Sequence, residues 1–315
     1  MEFTARPKNT KRLIAKRIGV TLNSKRVAPY VFVLPFVLTF LIFFLYPILS
    51  TMTMSFQSVN IGDIRFIGFT NYEKLLNSST FPIAIRNTLI YTALTLALLI
   101  PVPLILACLL NAKSMVGSSF FRGCLFVPLL CSVVVAGITF RFMFNETDNA
   151  LVNSLFINML GGEKVRWLSL RWPAMAVLIT LACWRWTGIN IVYFLSGLKS
   201  IPTELYEACD IDGANTLQRF WHITVPSLKP TFVYVLTISI YGGLAMFTES
   251  QMLWGGKSTP NNIGLTIVGF IYQNGISKGD LGYASSAGLI LLAAVLFVNL
   301  LQLRATGVLG KGKEG

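Results

Sequence analysis

The chain has 315 residues, of which 54% are hydrophobic and only 12% charged, with 26 Lys and Arg against 13 Asp and Glu. With a mean hydropathy of +0.66, this composition excludes an ordinary soluble globular protein and indicates an integral membrane protein. Because the basic residues flank apolar segments and form no aromatic RNA-binding pattern, they predict membrane topology and exclude nucleic acid as the partner.

The first 28 residues form a basic arm. It contains eight Lys and Arg and one acid, Glu2. Leu13, Ile14 and Ile18 give the middle of the arm a modest apolar face that could lie on anionic lipid. We expect 1–28 to be a cytoplasmic N-terminal arm. The apolar run that follows it is too long for a signal peptide and has no small-residue cleavage site.

Six apolar runs follow, each long enough to cross about 30 Å of hydrocarbon. They cover approximately 29–56, 84–110, 120–144, 172–198, 229–250 and 284–303. Prolines within the first three runs should kink them, which a membrane tolerates when neighbouring groups satisfy the freed carbonyls. The predicted fold is an all-α membrane protein with a six-span domain over 29–306 and a cytoplasmic tail over 307–315.

Positive charge predicts the orientation of these spans. An even number of spans puts both termini on one side, and sixteen of the 26 Lys and Arg fall on that side. Nine fall on the other side, and Arg185 lies within a span. Because cytoplasmic loops are enriched in Lys and Arg, we expect both termini and the loop over about 199–228 to be cytoplasmic.

The 199–228 loop, between the fourth and fifth runs, reads as helix, turn, helix. Pro202 suits the first turn of a helix that extends to Ile211, and Asp212-Gly213 breaks it. A second short helix is expected over about 214–222, ending before Pro226, because proline disfavours helix in the residue before it.

One face of the first loop helix is acidic. Glu204, Glu207 and Asp210 recur every third residue, so they form one stripe on the helix surface. The stripe alone fits a solvated helix face, and it also fits a surface that receives a basic partner.

The same loop resembles the signature of membrane subunits of ATP-binding-cassette importers. That signature has Glu-Ala-Ala, then Gly four residues later, then Ile-x-Leu-Pro nine residues further on. The matching positions are Glu207, Ala208, Gly213, Ile223 and Pro226. Cys209 and Val225 replace an Ala and a Leu of the signature.

The resemblance extends over nearly the whole chain. Several other segments resemble carbohydrate-importer permeases of the maltose and glycerol-phosphate type, and the stretch from Pro29 resembles the first permease of such a pair. These segments are Pro29-Tyr30, Tyr46-Pro47, Phe66-Ile67-Gly68-Phe69-Thr70-Asn71-Tyr72, Arg86-Asn87-Thr88, Phe121-Arg122 with Pro128, Ile201-Pro202 and Gly282-Tyr283-Ala284.

The resemblance implies a type I importer permease fold in a bacterial or archaeal cytoplasmic membrane, forming half of the path for a sugar. It implies four kinds of partner: a second homologous permease, two cytoplasmic ATP-binding subunits that bind ATP-Mg, an external solute-binding protein, and the carbohydrate itself. The loop would then be the coupling helix seated in an ATPase. Its docking residues would be Glu207, Ala208, Asp210, Asp212, Gly213, Ala214 and Pro226.

The sequence contains no catalytic or metal-binding constellation. His222 is the single histidine, and Gly256-Lys257-Ser258 resembles the end of a phosphate-binding loop but has Gln251 where that loop needs glycine. We therefore expect a non-catalytic subunit that binds no cofactor of its own. Two alternatives stay open: a partner-independent secondary carrier or channel for a small polar solute, and a structural or signalling membrane protein. Against a coupled carrier, Glu249 is the single acid at the edge of a predicted span.

A candidate substrate path lies at mid-membrane depth in the fourth and fifth runs. An Arg at this depth costs about 2.5–3.5 kcal/mol unless it faces protein or water, so Arg185 should face inward. Aromatic faces and hydrogen-bonding groups suit a sugar, although helix packing would explain the same residues. The candidates are Arg185, Trp186, Asn190, Ser239, Tyr241, Gly243 and Met246.

Overall fold

The computed structural model describes residues 24–60, 63–112, 115–256 and 259–308. These residues fall into two units, one ending at Met54 and one beginning at Ser55. Most of the predicted basic arm and most of the predicted tail lie outside the described residues.

Helix α1, Ala28–Met54, belongs to the first unit. Its 27 residues have a mean hydropathy of 2.5 in the most apolar window, so the helix is long and apolar enough to cross a bilayer. A π-turn over Leu41–Leu45 precedes Pro47, which has no N–H to continue the regular ladder. The predicted proline distortion at this position is therefore a local widening of one turn.

The second unit contains a two-stranded antiparallel sheet and twelve helices among its described residues. Its strands are β1 (Gln57–Asn60) and β2 (Asp63–Phe66). Its helices are α2 (Thr70–Leu76), α3 (Phe81–Asn111), α4 (Ser118–Leu130), α5 (Val133–Met143), α6 (Leu151–Leu160), α7 (Arg171–Lys199), α8 (Thr203–Ile211), α9 (Thr216–Ser227), α10 (Lys229–Leu244), α11 (Thr248–Leu253), α12 (Ile267–Tyr272) and α13 (Leu281–Ala305). A 3₁₀ turn over Pro260–Asn262 precedes α12, and a π-turn over Gln273–Ser277 follows it.

Four described helices, α1, α3, α7 and α13, are individually long and apolar enough to cross a membrane. Two bent pairs, α4 with α5 at 94° and α9 with α10 at 67°, raise the number to six. All six predicted apolar runs are therefore largely helical, and the third and fifth runs are each interrupted by a short break.

The third run breaks at Cys131–Ser132, where α4 ends and Ser132 caps α5 by accepting a hydrogen bond from Val134 N. Pro128, one turn earlier, lacks the N–H that would continue the helix ladder. The apolar run over 229–250 is not one continuous helix, because α10 ends at Leu244 after two glycines and α11 begins only at Thr248.

Helix α7 is the centre of the second unit. Thirteen of its residues are buried, and it packs against α3, α4 and α10. Gly188 permits the contact with α4, because a Cβ atom at this position would lie 2.1 Å from the Leu125 carbonyl oxygen. A buried helix with neighbours on several sides provides a fixed frame for the residues at its mid-depth.

Asparagine side chains hold the irregular segments to this frame. Asn87 Nδ2 on α3 donates to the carbonyls of Asn262, Ile263 and Leu265, at 2.9, 3.0 and 3.1 Å. The next residue, Thr88, accepts from Ile267 N at 3.0 Å. Asn87 and Thr88 therefore form hydrogen bonds to backbone carbonyls and one N–H of the segment that leads into α12. These bonds give Arg86-Asn87-Thr88 a structural role.

A second asparagine connects α2 to β1. Asn71 Nδ2 donates to the carbonyls of Ser55 and Gln57, both at 2.9 Å. Gly282 at the start of α13 lies against the same strand, because a Cβ atom there would lie 2.0 Å from Gln57 O. Two of the segments that carry the family resemblance therefore meet at one place in the fold.

Candidate functional site

The turn between α8 and α9 is a Schellman motif. Gly213 has φ +71°, Gly213 N donates to Asp210 O at 3.2 Å, and Ala214 N donates to Cys209 O at 2.9 Å. These two bonds satisfy carbonyls that the end of α8 leaves free, and the left-handed residue between them favours glycine. The requirement at Gly213 is the backbone angle, since a Cβ atom there would meet no atom of the described residues within 4 Å.

Helix α9 begins later and extends further than predicted. Asn215 and Gln218 form a capping box, in which Asn215 Oδ1 accepts from Gln218 N at 2.9 Å and Gln218 Oε1 accepts from Asn215 N at 2.8 Å. The prediction that the helix ends before Pro226 was wrong. Within α9 a π-turn over Phe220–Thr224 directly precedes Pro226, with Val225 N donating to Phe220 O. The wider turn shifts the hydrogen-bond ladder, so α9 continues although Pro226 has no N–H.

The two loop helices are fastened to each other. Arg219 Nη1 forms an ion pair with Asp210 Oδ1, and the hydroxyls of Tyr206 and Thr224 lie 3.0 Å apart. One member of the predicted acidic stripe therefore has its basic partner within the chain, whereas Glu204 and Glu207 stay exposed.

The surface of the loop combines acidic with apolar side chains. Ile211 is 87% exposed and Leu217 67% exposed, beside the exposed carboxylates of Glu207 and Asp212. Of the seven predicted docking residues, Ala214 is half-buried in the turn and the other six are exposed. Exposed large apolar groups on a rigid polar loop are typical of a contact surface.

The predicted path residues converge on a cavity of about 400 Å³. Six of the seven line it directly: Trp186, Asn190, Ser239, Tyr241, Gly243 and Met246. The structure adds neighbours that the sequence did not indicate, chiefly Tyr91, Thr95, Tyr193, Phe247 and Glu249. Tyr91 and Thr95 lie one turn apart on α3, so a polar face on that otherwise apolar helix was the available signal.

Asn190 connects α7 to α3 at the wall of the cavity. Its Nδ2 donates to Leu99 O at 3.0 Å, and both groups are buried. Leu99 O would normally accept from residue 103 of the same helix, but residue 103 is proline and has no N–H. The amide on α7 thus supplies the hydrogen bond that the proline in α3 removes.

Two adjacent glycines on α10 have different roles. A Cβ atom at Gly243 would lie 2.8 Å from Thr92 Cγ2, so this glycine lets α10 approach α3. A Cβ atom at Gly242 would meet nothing within 4 Å, and Gly242 lines the cavity. One glycine therefore permits packing and the other leaves space.

Arg185 does not line the cavity but pairs with a residue that does. Its Nη1 lies 3.1 Å from Glu249 Oε1, with the two side chains 10% and 13% exposed. The guanidinium also lies 5.4 Å from the centre of the Trp186 ring, and its Nε has no hydrogen-bond partner among the described residues. Burial and pairing of Arg185 agree with the expectation that it faces protein. No group of three or more His, Cys, Asp or Glu in the described part could hold a metal ion.

The sequence is similar to known transport proteins. Residues 18–306 match the family described as binding-protein-dependent transport system inner membrane component. The arabinooligosaccharides transport system permease protein AraP of Bacillus subtilis is 51% identical over 284 residues, which cover 90% of each chain. The lactose transport system permease protein LacF of Rhizobium radiobacter is 31% identical over 277 residues, covering 88% of this chain and 93% of that protein.

The same fold occurs among solved structures. A chain of a bacterial alginate ABC transporter, solved with a periplasmic protein that binds an alginate pentasaccharide, superposes with a TM-score of 0.79 at 23% identity. The match covers 96% of this chain and 99% of that one. This chain therefore shares its fold with that chain of an ABC transporter.

Proposed function

Because this chain belongs to the family of binding-protein-dependent transport system inner membrane components, we propose that it forms half of the membrane path for an oligosaccharide. The arabino-oligosaccharides for which its 51% identical relative is named are the proposed substrate class. It is a non-catalytic subunit, and ATP hydrolysis belongs to a separate subunit of such importers.

The cavity is the single observation that carries the sugar proposal. Its volume of about 400 Å³ lies within the usual range for small-molecule sites. Trp186 and Tyr241 are 38% and 61% exposed, so their ring faces can stack on the C–H surfaces of a sugar. Ser239 and Asn190 add groups that can hydrogen-bond to hydroxyls.

The 199–228 loop is the proposed docking surface for a cytoplasmic ATPase. Glu207 would pair with a basic group of that subunit, and Ile211 and Leu217 would be covered by it. The internal ion pair between Asp210 and Arg219 and the Tyr206–Thr224 contact keep the two helices together, so force on the surface can pass to α10. ATP-Mg would be held by the ATPase.

We extend the proposal to the orientation of the chain and to its other partners. We place both termini and the loop in the cytoplasm, because most Lys and Arg flank the spans on that side. A second homologous permease would complete the path, two ATPases would bind the two loops, and an external solute-binding protein would deliver the sugar.

Reconstitution in liposomes tests the function. The chain, a second permease and the ATPases are expected to import arabinotriose only with ATP and the binding protein. Uptake by the chain alone would instead favour a partner-independent carrier, in which the buried Glu249 would be the coupling carboxylate.

Charge reversal at the loop tests docking. We expect Glu207→Arg to abolish co-purification of the ATPase and leave membrane insertion unchanged. Glu73→Arg is the matched control, because Glu73 is also an exposed helical glutamate but lies on α2. Equal ATPase recovery with both variants would contradict the docking role of Glu207.

A further inference from the structure

Glu249 is the one Asp, Glu, Lys, Arg or His among the described residues that line the cavity. Its Oε1 is engaged by Arg185 on α7, and Arg185 is the one hydrogen-bond partner of its side chain in the described part of the chain. The second carboxylate oxygen therefore retains its capacity to accept a hydrogen bond at the cavity wall.

We propose that Glu249 and Arg185 are a specificity-determining pair that makes the cavity accept uncharged saccharides and reject acidic ones. The inference rests on the proposed function, because it concerns the sugar that the cavity receives.

The positive charge of Arg185 balances the negative charge of Glu249, but the group at the cavity wall is the carboxylate. Glu249 lines the cavity and Arg185 stands behind it, so an entering ligand meets the carboxylate first. A hydroxyl can donate to the free carboxylate oxygen without disturbing the ion pair. A ligand carboxylate would be repelled by the same oxygen, because like charges close together in a poorly solvated site cost free energy.

An acidic sugar could gain binding free energy only by forming an ion pair with Arg185 in place of Glu249. That exchange would leave Glu249 buried without its cation, which is costly in a site where both side chains are 13% exposed or less. The guanidinium is also held at 5.4 Å from the Trp186 ring, which restrains it from turning toward a new anion. Neutral saccharides face neither cost.

The charges of Glu249 and Arg185 can be varied by substitution. The charge of the ligand can be varied separately, at nearly constant size. Arabinotriitol and the aldonic acid of arabinotriose, made by reducing or oxidising the reducing end, form the matched ligands, because both end in an open chain and they differ in charge. Dissociation constants are measured by equilibrium dialysis on the assembled importer in nanodiscs without the binding protein, so that external selection does not enter. The proteins are the wild type, Glu249→Gln, Arg185→Gln and the double variant.

We expect the wild type to bind the neutral trisaccharide about tenfold or more tightly than the acid. Glu249→Gln leaves the Arg185 charge uncompensated and should shift the ratio toward the acid by about tenfold or more. Arg185→Gln should shift the ratio the other way. The double variant carries neither charge, so its ratio should lie between those of the single variants and closer to equality than in the wild type. A ratio that stays the same in all four proteins would overturn the proposal.

A second variant covers the case in which the single variants do not assemble. Thr248→Lys adds a positive charge at the cavity wall with the ion pair intact, and it should also shift the ratio toward the acid. An unchanged ratio in Thr248→Lys would overturn the inference. If the wild type binds neither trisaccharide, the proposed sugar path fails as well, whereas binding that ignores charge but weakens in Trp186→Ala refutes the charge selection alone.

Discussion

Asn190 on α7 and Leu99 on α3 are joined by a buried hydrogen bond of 3.0 Å that compensates for Pro103. We predict that Asn190→Leu destabilises the protein by about 1–3 kcal/mol, because Leu99 O would be left buried without a donor. The measurement is the free energy of unfolding of the purified chain in detergent or mixed micelles.

Pro103 provides the control for this prediction. Pro103→Ala returns an N–H to the position that can donate to Leu99 O within α3. Asn190→Leu should therefore cost less in the Pro103→Ala background than in the wild type. Equal costs in the two backgrounds would show that the amide does not act through this carbonyl.

Gly242 and Gly243 differ by what surrounds them, so the same substitution should have two outcomes. Gly243→Ala is expected to destabilise by about 1–3 kcal/mol, because its Cβ atom would lie 2.8 Å from Thr92 Cγ2. Thr92→Ala should recover part of this loss, since it removes the two closest atoms. A Gly243→Ala protein as stable as the wild type would contradict the close contact.

Gly242→Ala should leave stability unchanged or raise it by up to about 1 kcal/mol, because its Cβ atom would meet no described atom within 4 Å and alanine favours helix over glycine. Its methyl group would instead occupy space in the cavity. We expect weaker binding of arabinotriose with a normal unfolding transition, measured on the assembled importer. Normal affinity would show that the sugar does not approach this part of α10.

The apolar runs were predictable because hydrophobic length depends on local composition alone. All six are largely helical. Trp186, Asn190, Ser239 and Tyr241 could be predicted as path residues because each is polar or aromatic at the same depth, and all four line one cavity. The ion pair was not predictable, because Glu249 lies 64 residues from Arg185 along the chain and in a helix that starts only after α10 has ended.

The helix boundaries in the 199–228 loop depend on hydrogen bonds that the importer signature does not specify. Asn215 and Gln218 have the spacing of a capping box, which was the available signal for where α9 begins. The continuation through Pro226 could not be predicted from the proline rule, because the π-turn before it changes which N–H is required. Pairing of Asp210 with Arg219 likewise needs the turn geometry.

Asn87 is predicted to fix the segment that leads into α12. Asn87→Leu removes the donor shared by three carbonyls, of residues 262, 263 and 265, and should cost about 1–3 kcal/mol. Faster amide hydrogen exchange is expected over 259–267. The control is Asn158→Leu, since Asn158 is exposed and donates only to Ser154 within its own helix, and should change stability by about 0.5 kcal/mol or less. Similar exchange rates in the two variants would contradict the role of Asn87.

Gly213 provides the sharpest test of the turn between the loop helices. Its φ of +71° is left-handed, so Gly213→Val should disfavour the native turn by about 1–2 kcal/mol, whereas Gly213→Asn should be tolerated better. We expect ATPase recovery and sugar uptake to fall in the order glycine, asparagine, valine. Gly123→Val is the matched control, because Gly123 lies within helix α4 and a Cβ atom there also meets nothing within 4 Å. If Gly213→Val and Gly123→Val had the same effect on ATPase recovery, the backbone angle at residue 213 would not be what the docking surface requires.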